Sequence, residues 1–341
     1  MKEDPYALIA KNAEGSPCLF TEVEGVRATW ETTGRCSLGC AHCCVSATNA
    51  PSSNDITLDD AKKVVDELSQ NGVTSIYVSG GEPLLWKPVY DLLNYIGDKG
   101  IFTSLATNGM CVDSGAAARL SDARVGKVLI SLDSDVPDVH DAFRGRKGSY
   151  SEATRAAKTL SDSGIFVRVG HVIWRESVDN IERFAETMHG LGADEVAYNW
   201  LMPAGRARDN PEIAVPAGRY EEVGRRLKAL KYSMDGEMTI SYHRFSGIDG
   251  SDCMGGEKFV HVTPGGNITP CSWAAKLMPE YVTRERLPSA PLNELIASRE
   301  IQAFRDAVRQ RSSEFGPGCP AMCYVLAGSI MSPDPLYRVS R

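Results

Sequence analysis

Hydrophobic and polar positions alternate along residues 26–32, where Val26, Ala28 and Trp30 are apolar and Gly34 follows. A period of two predicts a strand. The period then lengthens to that of a helix. Ala61, Val64, Val65 and Leu68 share one face, Thr57 or Asp55 is placed to cap it, and Asn71-Gly72 ends the run. The same exchange of periods recurs downstream. Strands are predicted at 73–78, 102–106, 127–132, 165–174 and 195–200, separated by helices at 89–99, 116–121, 150–163 and 180–191. Six strand–helix steps at intervals of roughly 30 residues are the mark of parallel βα units, so the class is α/β. Open sheet and barrel both fit this period. The informative polar motifs each follow a strand, as on the C-terminal rim of a parallel barrel. A partial (β/α)6 TIM-like barrel over 26–237 is expected, after an N-terminal lead-in of 1–25.

The pattern breaks at 203–217 into a connection rich in Pro, Gly and Arg, and a helix with a basic face follows at 219–231. From residue 238 the character changes. A strand is predicted at 238–242, then two short alternating runs at 259–262 and 268–270 around Pro264-Gly265-Gly266-Asn267, which read as a β-hairpin. An amphipathic helix is predicted at 292–309, with Leu295, Ile296, Ile301, Phe304 and Val308 apolar, and Gly316-Pro317-Gly318-Cys319 opens a loop running to Cys323. A small C-terminal domain over 238–341, hairpin plus helix, is therefore expected.

Composition narrows the function classes. A chain of 341 residues with 43% hydrophobic and 24% charged positions has the balance of a soluble globular protein. The net charge of −7 argues against nucleic acid as a partner. No run approaches the ~20 apolar residues of a membrane span, and residues 1–17 carry charges without a signal-like apolar core, so a cytoplasmic location is expected. Ten cysteines in a reducing compartment point to metal rather than disulfides. Eight of them fall in two groups, Cys36, Cys40, Cys43 and Cys44 early and Cys253, Cys271, Cys319 and Cys323 late, with Cys18 and Cys111 apart.

The early group has the spacing C-x3-C-x2-C directly after the first strand. Three thiolates on a short loop can hold three irons of a [4Fe–4S] cube and leave the fourth open. With Cys44 or His42 as a fourth ligand, they could also be part of a zinc site, the less favoured local reading. Two further motifs bear on the choice: Gly80-Gly81-Glu82-Pro83 after the second strand, and Ser131-Leu132-Asp133 after the fourth. Glycines permit close backbone approach to a ligand, and a glutamate can accept a hydrogen bond from an ammonium group.

Together these motifs resemble the radical S-adenosylmethionine (SAM) superfamily. The resemblance implies a [4Fe–4S] cluster on Cys36, Cys40 and Cys43, whose open iron is chelated by SAM. It implies cleavage of SAM to a 5′-deoxyadenosyl radical that abstracts a substrate hydrogen, with an electron donor such as flavodoxin or ferredoxin. SAM contacts are then expected from Gly80, Gly81, Glu82, Pro83, Thr107, Asn108, Ser131, Asp133 and Arg144. The usual Tyr or Phe after the third cysteine is replaced here by Cys44. The late cysteines, as C-x12-G-x4-C closed by Cys319 and Cys323, resemble the twitch domain, a shorter relative of the SPASM domain. They imply an auxiliary [4Fe–4S] cluster serving electron transfer. The closing C-x3-C departs from the more frequent C-x2-C.

The twitch resemblance and the short lead-in direct the expectation to a small-molecule substrate, a carbohydrate-like aminoglycoside or aminocyclitol precursor. The expected reaction is net oxidation, by dehydrogenation or by ether or dioxane ring closure. The alternatives are an epimerase with a cysteine hydrogen donor, for which Cys44 and Cys111 are candidates along with Cys18, and a maturase of ribosomally made peptides. A zinc-stabilised binding protein is the reading outside enzymology. His171, Asn199, Arg206, Tyr242 and His243 fall near strand ends or the domain junction and are candidates to line the pocket. Anaerobic reconstitution should yield about eight irons per chain if both cysteine groups carry cubane clusters. Cys36→Ala should abolish SAM cleavage to 5′-deoxyadenosine, and Cys271→Ala should leave the first cluster in place; zinc without sulfide would refute both expectations.

Overall fold

The chain is described by a computed structural model at residues 25–51, 55–242 and 253–334. Its strands are β1 (Val26–Glu31), β2 (Val73–Ser79), β3 (Phe102–Thr107), β4 (Lys127–Ser131), β5 (Phe166–Ile173), β6 (Glu195–Trp200), β7 (Thr239–Tyr242), β8 (Phe259–Val262) and β9 (Ile268–Thr269). They form one sheet in the order β7-β6-β5-β4-β3-β2-β1-β8-β9. Every neighbouring pair from β7 to β8 is parallel, and β8/β9 is the antiparallel hairpin. Strands β1–β6 are the six predicted ones, each followed by helix, and the architecture is a TIM-like partial barrel.

Each outer helix is amphipathic for the reason its sequence shows. In Leu58–Gln70 the predicted residues Ala61, Val64, Val65 and Leu68 are the buried ones. Thr57 is the cap, its hydroxyl accepting the Asp60 N–H at 3.2 Å. Asp55 turns back instead and accepts from the Thr33 hydroxyl at 2.5 Å, tying the helix entry to the end of β1.

Three expectations need correction. The strand at 238–242 does not open a separate unit: β7 pairs with β6 in the barrel sheet, from Glu195↔Thr239 to Tyr198↔Tyr242. The hairpin strand β8 pairs with β1 at the other side, so the C-terminal segment extends the same sheet. Alternation identifies a strand but carries no information about its neighbour. The last cysteine motif is not a loop throughout, because Pro320–Ala327 is helical with Cys319 as its N-cap residue. The Gly-Pro-Gly run reads as a breaker, yet proline at the first helical position is a start signal. Residues 1–24 and His243 lie outside the described residues.

At the N-terminal end of the strands a buried charge cluster fills the barrel. Glu195 of β6 accepts from Lys127 of β4 at 2.9 Å, from Arg168 of β5, and from the Ser241 hydroxyl of β7 at 2.5 Å. Burial raises the Glu195 carboxyl, but Arg168 and Lys127 outweigh it and hold it below the ordinary range. Its contribution to stability is therefore present above the unfolded-state pKa and lost as pH falls through the lower folded value. Glu195→Ala, which strands two buried cations, should destabilise the chain by about 3–5 kcal/mol in chemical denaturation at pH 7. The gap between wild type and Glu195→Gln should narrow as the pH is taken below the ordinary carboxylate range.

Candidate active site

The loop after β1 brings Cys36, Cys40 and Cys43 to the C-terminal rim, where they border a cavity of ≈350 Å³. Each sulfur faces an N–H donor. The Asn108 amide donates to Cys36 Sγ at 3.8 Å, Arg144 Nη1 to Cys40 Sγ at 3.9 Å, and the Ala47 backbone N–H to Cys43 Sγ at 3.4 Å. Donors aimed at sulfur stabilise thiolate and lower the charge that a cluster's ligands present. Burial nevertheless pushes the Cys36 thiol up to about 11, against the lowering effect of a backbone hydrogen bond from Leu38, so metal binding must displace its proton. Among the described residues no three His, Cys, Asp or Glu side chains form a group that could hold a single metal ion. Three thiols, each supplied with a donor and opening on one cavity, fit the ligand set of a cluster.

The Gly80-Gly81-Glu82-Pro83 turn fixes the loop's entry. Gly81 and Glu82 donate their N–H groups to the carbonyls of Thr33 and Arg35 at 2.8 and 2.7 Å. A Cβ on Gly80 would lie 2.5 Å from the Thr33 carbonyl, and one on Gly81 would lie 2.3 Å from that of Arg35. The close approach that demands glycine is thus made by the chain's own cysteine loop, while Gly80, Gly81 and Pro83 also border the cavity.

Glu82 is a second correction to the expected contacts. Its side chain is fully buried and accepts from the Thr107 hydroxyl at 2.8 Å, the Asn108 N–H at 2.7 Å and the Leu84 N–H at 3.2 Å. It is a strut between β2 and β3, with both oxygens engaged by protein donors. Asp133 is likewise inaccessible, accepting the Val172 N–H at 2.8 Å and pairing with Arg144 at 2.6 Å. Burial raises its carboxyl, and Arg144 and the neighbouring histidines bring it down to about 2. Thr107, Asn108, Ser131 and Arg144 do border the cavity, but Arg144 is committed to Asp133 and Cys40. Arg144 ends helix Pro137–Arg144, and Gly145, with φ +67°, lets that end meet the Gly39 carbonyl.

His42 packs its ring on Phe143 at 4.3 Å, and Phe143 stacks on Trp174 at 4.1 Å. Burial lowers the His42 pKa to about 3, so the ring is neutral and serves as the aromatic face beside the third cysteine. Arg206, which also borders the cavity, clasps the loop, donating Nε to the Cys40 carbonyl at 2.7 Å and Nη1 to that of Ala47 at 2.8 Å.

Of the other candidates, Asn199 and Cys44 border the cavity. Burial pushes the Cys44 thiol up to about 12, which keeps its hydrogen in place. His171 does not reach this cavity. It lines a separate hollow of ≈140 Å³ behind Asp133 and packs on Phe184 and Tyr198. Tyr242 and Cys111 are not among the residues bordering the main cavity.

Glu31 was missed by the motif reading. It ends β1, is 6% exposed, borders the cavity, and pairs with Lys276 at 2.7 Å. The signal lay in the polar half of the 26–32 alternation, since positions 27, 29 and 31 face opposite to Ala28 and Trp30.

Residues 30–188 match the radical SAM superfamily. A [4Fe–4S] cluster and SAM are accordingly its cofactors. It is 31% identical over 249 residues to the antilisterial bacteriocin subtilosin biosynthesis protein AlbA of Bacillus subtilis, covering 72% of this chain and 55% of AlbA, little more than half that protein's length. An AdoMet-dependent heme synthase of Nitratidesulfovibrio vulgaris is 26% identical over 345 residues, covering 90% of each chain. A PqqA peptide cyclase of Bradyrhizobium diazoefficiens is 26% identical over 334 residues, covering 91% and 85%. Among solved structures, native anSMEcpe with bound AdoMet and Kp18Cys peptide superposes with a TM-score of 0.73 over 92% of this chain and 94% of that chain at 15% identity, a likeness of fold.

Gly81→Ala tests the geometry of the loop entry. The added carbon must displace the Arg35 carbonyl, so the variant should lose most of its SAM binding by equilibrium dialysis while the far-UV spectrum stays that of the wild type; unchanged binding would refute the proposed packing.

Proposed function

We propose that the chain modifies a peptide by radical chemistry, rather than the carbohydrate-like precursor that its cysteine motifs and short lead-in suggested. The cavity beside the three-thiol loop carries this reading. It shares Leu201 with a second hollow of ≈660 Å³, lined largely by apolar side chains including Val215, Tyr220, Leu277, Met322 and Val325, with Arg208 as its charged member. A groove of that kind receives the side chains of an extended chain, whereas a polyhydroxylated ring would leave its hydroxyls facing hydrocarbon. The relationship to a peptide cyclase and a bacteriocin biosynthesis protein supports it.

Cys36, Cys40 and Cys43 would hold the cluster, which when bound would supply one-electron reductive cleavage of SAM. Around it the chain's residues have distinct tasks. Gly80, Gly81 and Pro83 form the backbone edge for the methionine portion, and Thr107, Asn108 and Ser131 offer hydrogen bonds to the rest of SAM. Asp133, Arg144 and Arg206 hold the loop's shape. Glu31, with Lys276 beside it, is the carboxylate placed to meet substrate. A flavodoxin or ferredoxin is the reductant.

We assign a second [4Fe–4S] cluster, an electron carrier, to Cys253, Cys271, Cys319 and Cys323. Cys319 lies close enough to Cys253 and Cys271 for their charges to raise its pKa beyond the dominant effect of burial. The helix at Pro320–Ala327 accounts for the unusual C-x3-C, because residues four apart share a helix face.

The reduced enzyme, given SAM and the peptide encoded by a short reading frame beside its gene, should release 5′-deoxyadenosine in step with a peptide product altered by the loss of two hydrogens. Deuterium transfer into 5′-deoxyadenosine from an aminocyclitol, with every such peptide returned unchanged, would overturn the proposal. Haem formed from an iron–porphyrin precursor would replace it with the chemistry named for the second relative.

A further inference from the structure

We propose that Arg311 raises the reduction potential of the second cluster by holding a buried positive charge against its cysteines; this rests on the assignment of that cluster above. Arg311 lies in helix Arg299–Phe315 and is 1% exposed. A guanidinium so placed needs acceptors for its donors or an anion beside it. Nη1 has an acceptor, the Gly316 carbonyl at 2.8 Å. Nε and Nη2 have none. Both belong to a group lying against the late cysteines. A Cβ on Gly318, the residue before Cys319, would come within 2.2 Å of Nη2, and, against the rise that burial causes, the positive charge of Arg311 is among the effects that lower the Cys323 thiol. Cys323 itself has no exposed surface.

Asp334 lies against the same face of that glycine, its own Cβ 2.8 Å from the added carbon. It is 1% exposed, and its Oδ2 accepts the Cys319 N–H at 3.1 Å. One carboxylate and one guanidinium therefore lie together at the helix start that carries two of the four thiols. Thiolate ligands add negative charge that Asp334 cannot offset, and the under-used donors of Arg311 are where that charge is met.

The consequence follows from charge. Each electron added to a cluster makes it one unit more negative, so a nearby cation stabilises the reduced form more than the oxidised one. Hydrogen bonds to sulfur act in the same direction, and solvent exclusion magnifies both effects. Arg311 thus favours acceptance of an electron, and Asp334 opposes it. Arg311 is a positioning residue here: it ligates nothing and acts through Cys323.

The test uses the full chain with Cys36, Cys40 and Cys43 all changed to Ala, so that only the late cysteines can load. Iron and sulfide are counted after anaerobic reconstitution, and reduction is followed by electron paramagnetic resonance against potential. Arg311→Met should lower the midpoint, Arg311→Lys should lie between it and wild type, and Asp334→Asn should shift it upward. A fully loaded Arg311→Met with an unmoved midpoint would overturn the proposal, as a purely structural arginine would change iron content alone. If Arg311→Met fails to load, Arg311→Lys and Asp334→Asn decide, and the absence of opposed shifts refutes it. No iron or sulfide in the triple-Ala parent would refute the second-cluster assignment instead.

Discussion

The carboxylate of Glu82 is the constraint on which the rim depends. It is fully buried at the end of the turn after β2, yet it is held by donors from the turn after β3. Burial raises its pKa to about 6, and the hydrogen bonds from Asn108, Thr107 and Leu84 oppose that rise. A buried carboxylate with so many donors joins its neighbours rigidly, because losing any one leaves an expensive unmet group. Through Asn108 the same contact places an amide on Cys36, and through the Gly81 and Glu82 N–H groups it pins the entry of the cysteine loop. Three motifs separated by some 70 residues of chain are thereby one rigid body.

The second half of the loop depends on a parallel arrangement. Asp133 and Arg144 form a buried pair that aims a guanidinium at Cys40, and His42, Phe143 and Trp174 stack beneath it. Arg206 clasps the loop through two carbonyls. Several polar residues that look like cofactor ligands therefore act by shaping the loop. The physical reason is entropic: three thiols on a flexible segment would pay for their ordering whenever a cluster bound, whereas a preformed loop has already done so.

The C-terminal segment shares the barrel's sheet. Because β8 lies against β1, the late cysteines are carried next to the strand that delivers the early ones, and Lys276 of that segment reaches Glu31 at the cavity's edge. The apolar groove arises at the same junction, from Leu201 and Val215 on one side and Leu277, Met322 and Val325 on the other. The groove is thus made by the meeting of two segments.

How much of this was legible beforehand depends on the range of the interaction. The period of apolar residues set the six βα steps, since a strand or helix face is a local property of spacing. Cys36, Cys40 and Cys43 announced a metal loop because three ligands within eight residues must converge. Even the helix that carries Cys319 and Cys323 had its signal in Pro320. What the chain by itself could not disclose was partnership. The pairing of β7 with β6, the engagement of Glu82 with Thr107 and Asn108, and the turning of Asp133 toward Arg144 rather than the cavity all join residues distant in sequence. Residue type shows that a carboxylate can accept a hydrogen bond. Only the tertiary structure decides whether the donor is a ligand or another part of the protein, because burial and distance, unlike spacing, are properties of the folded whole.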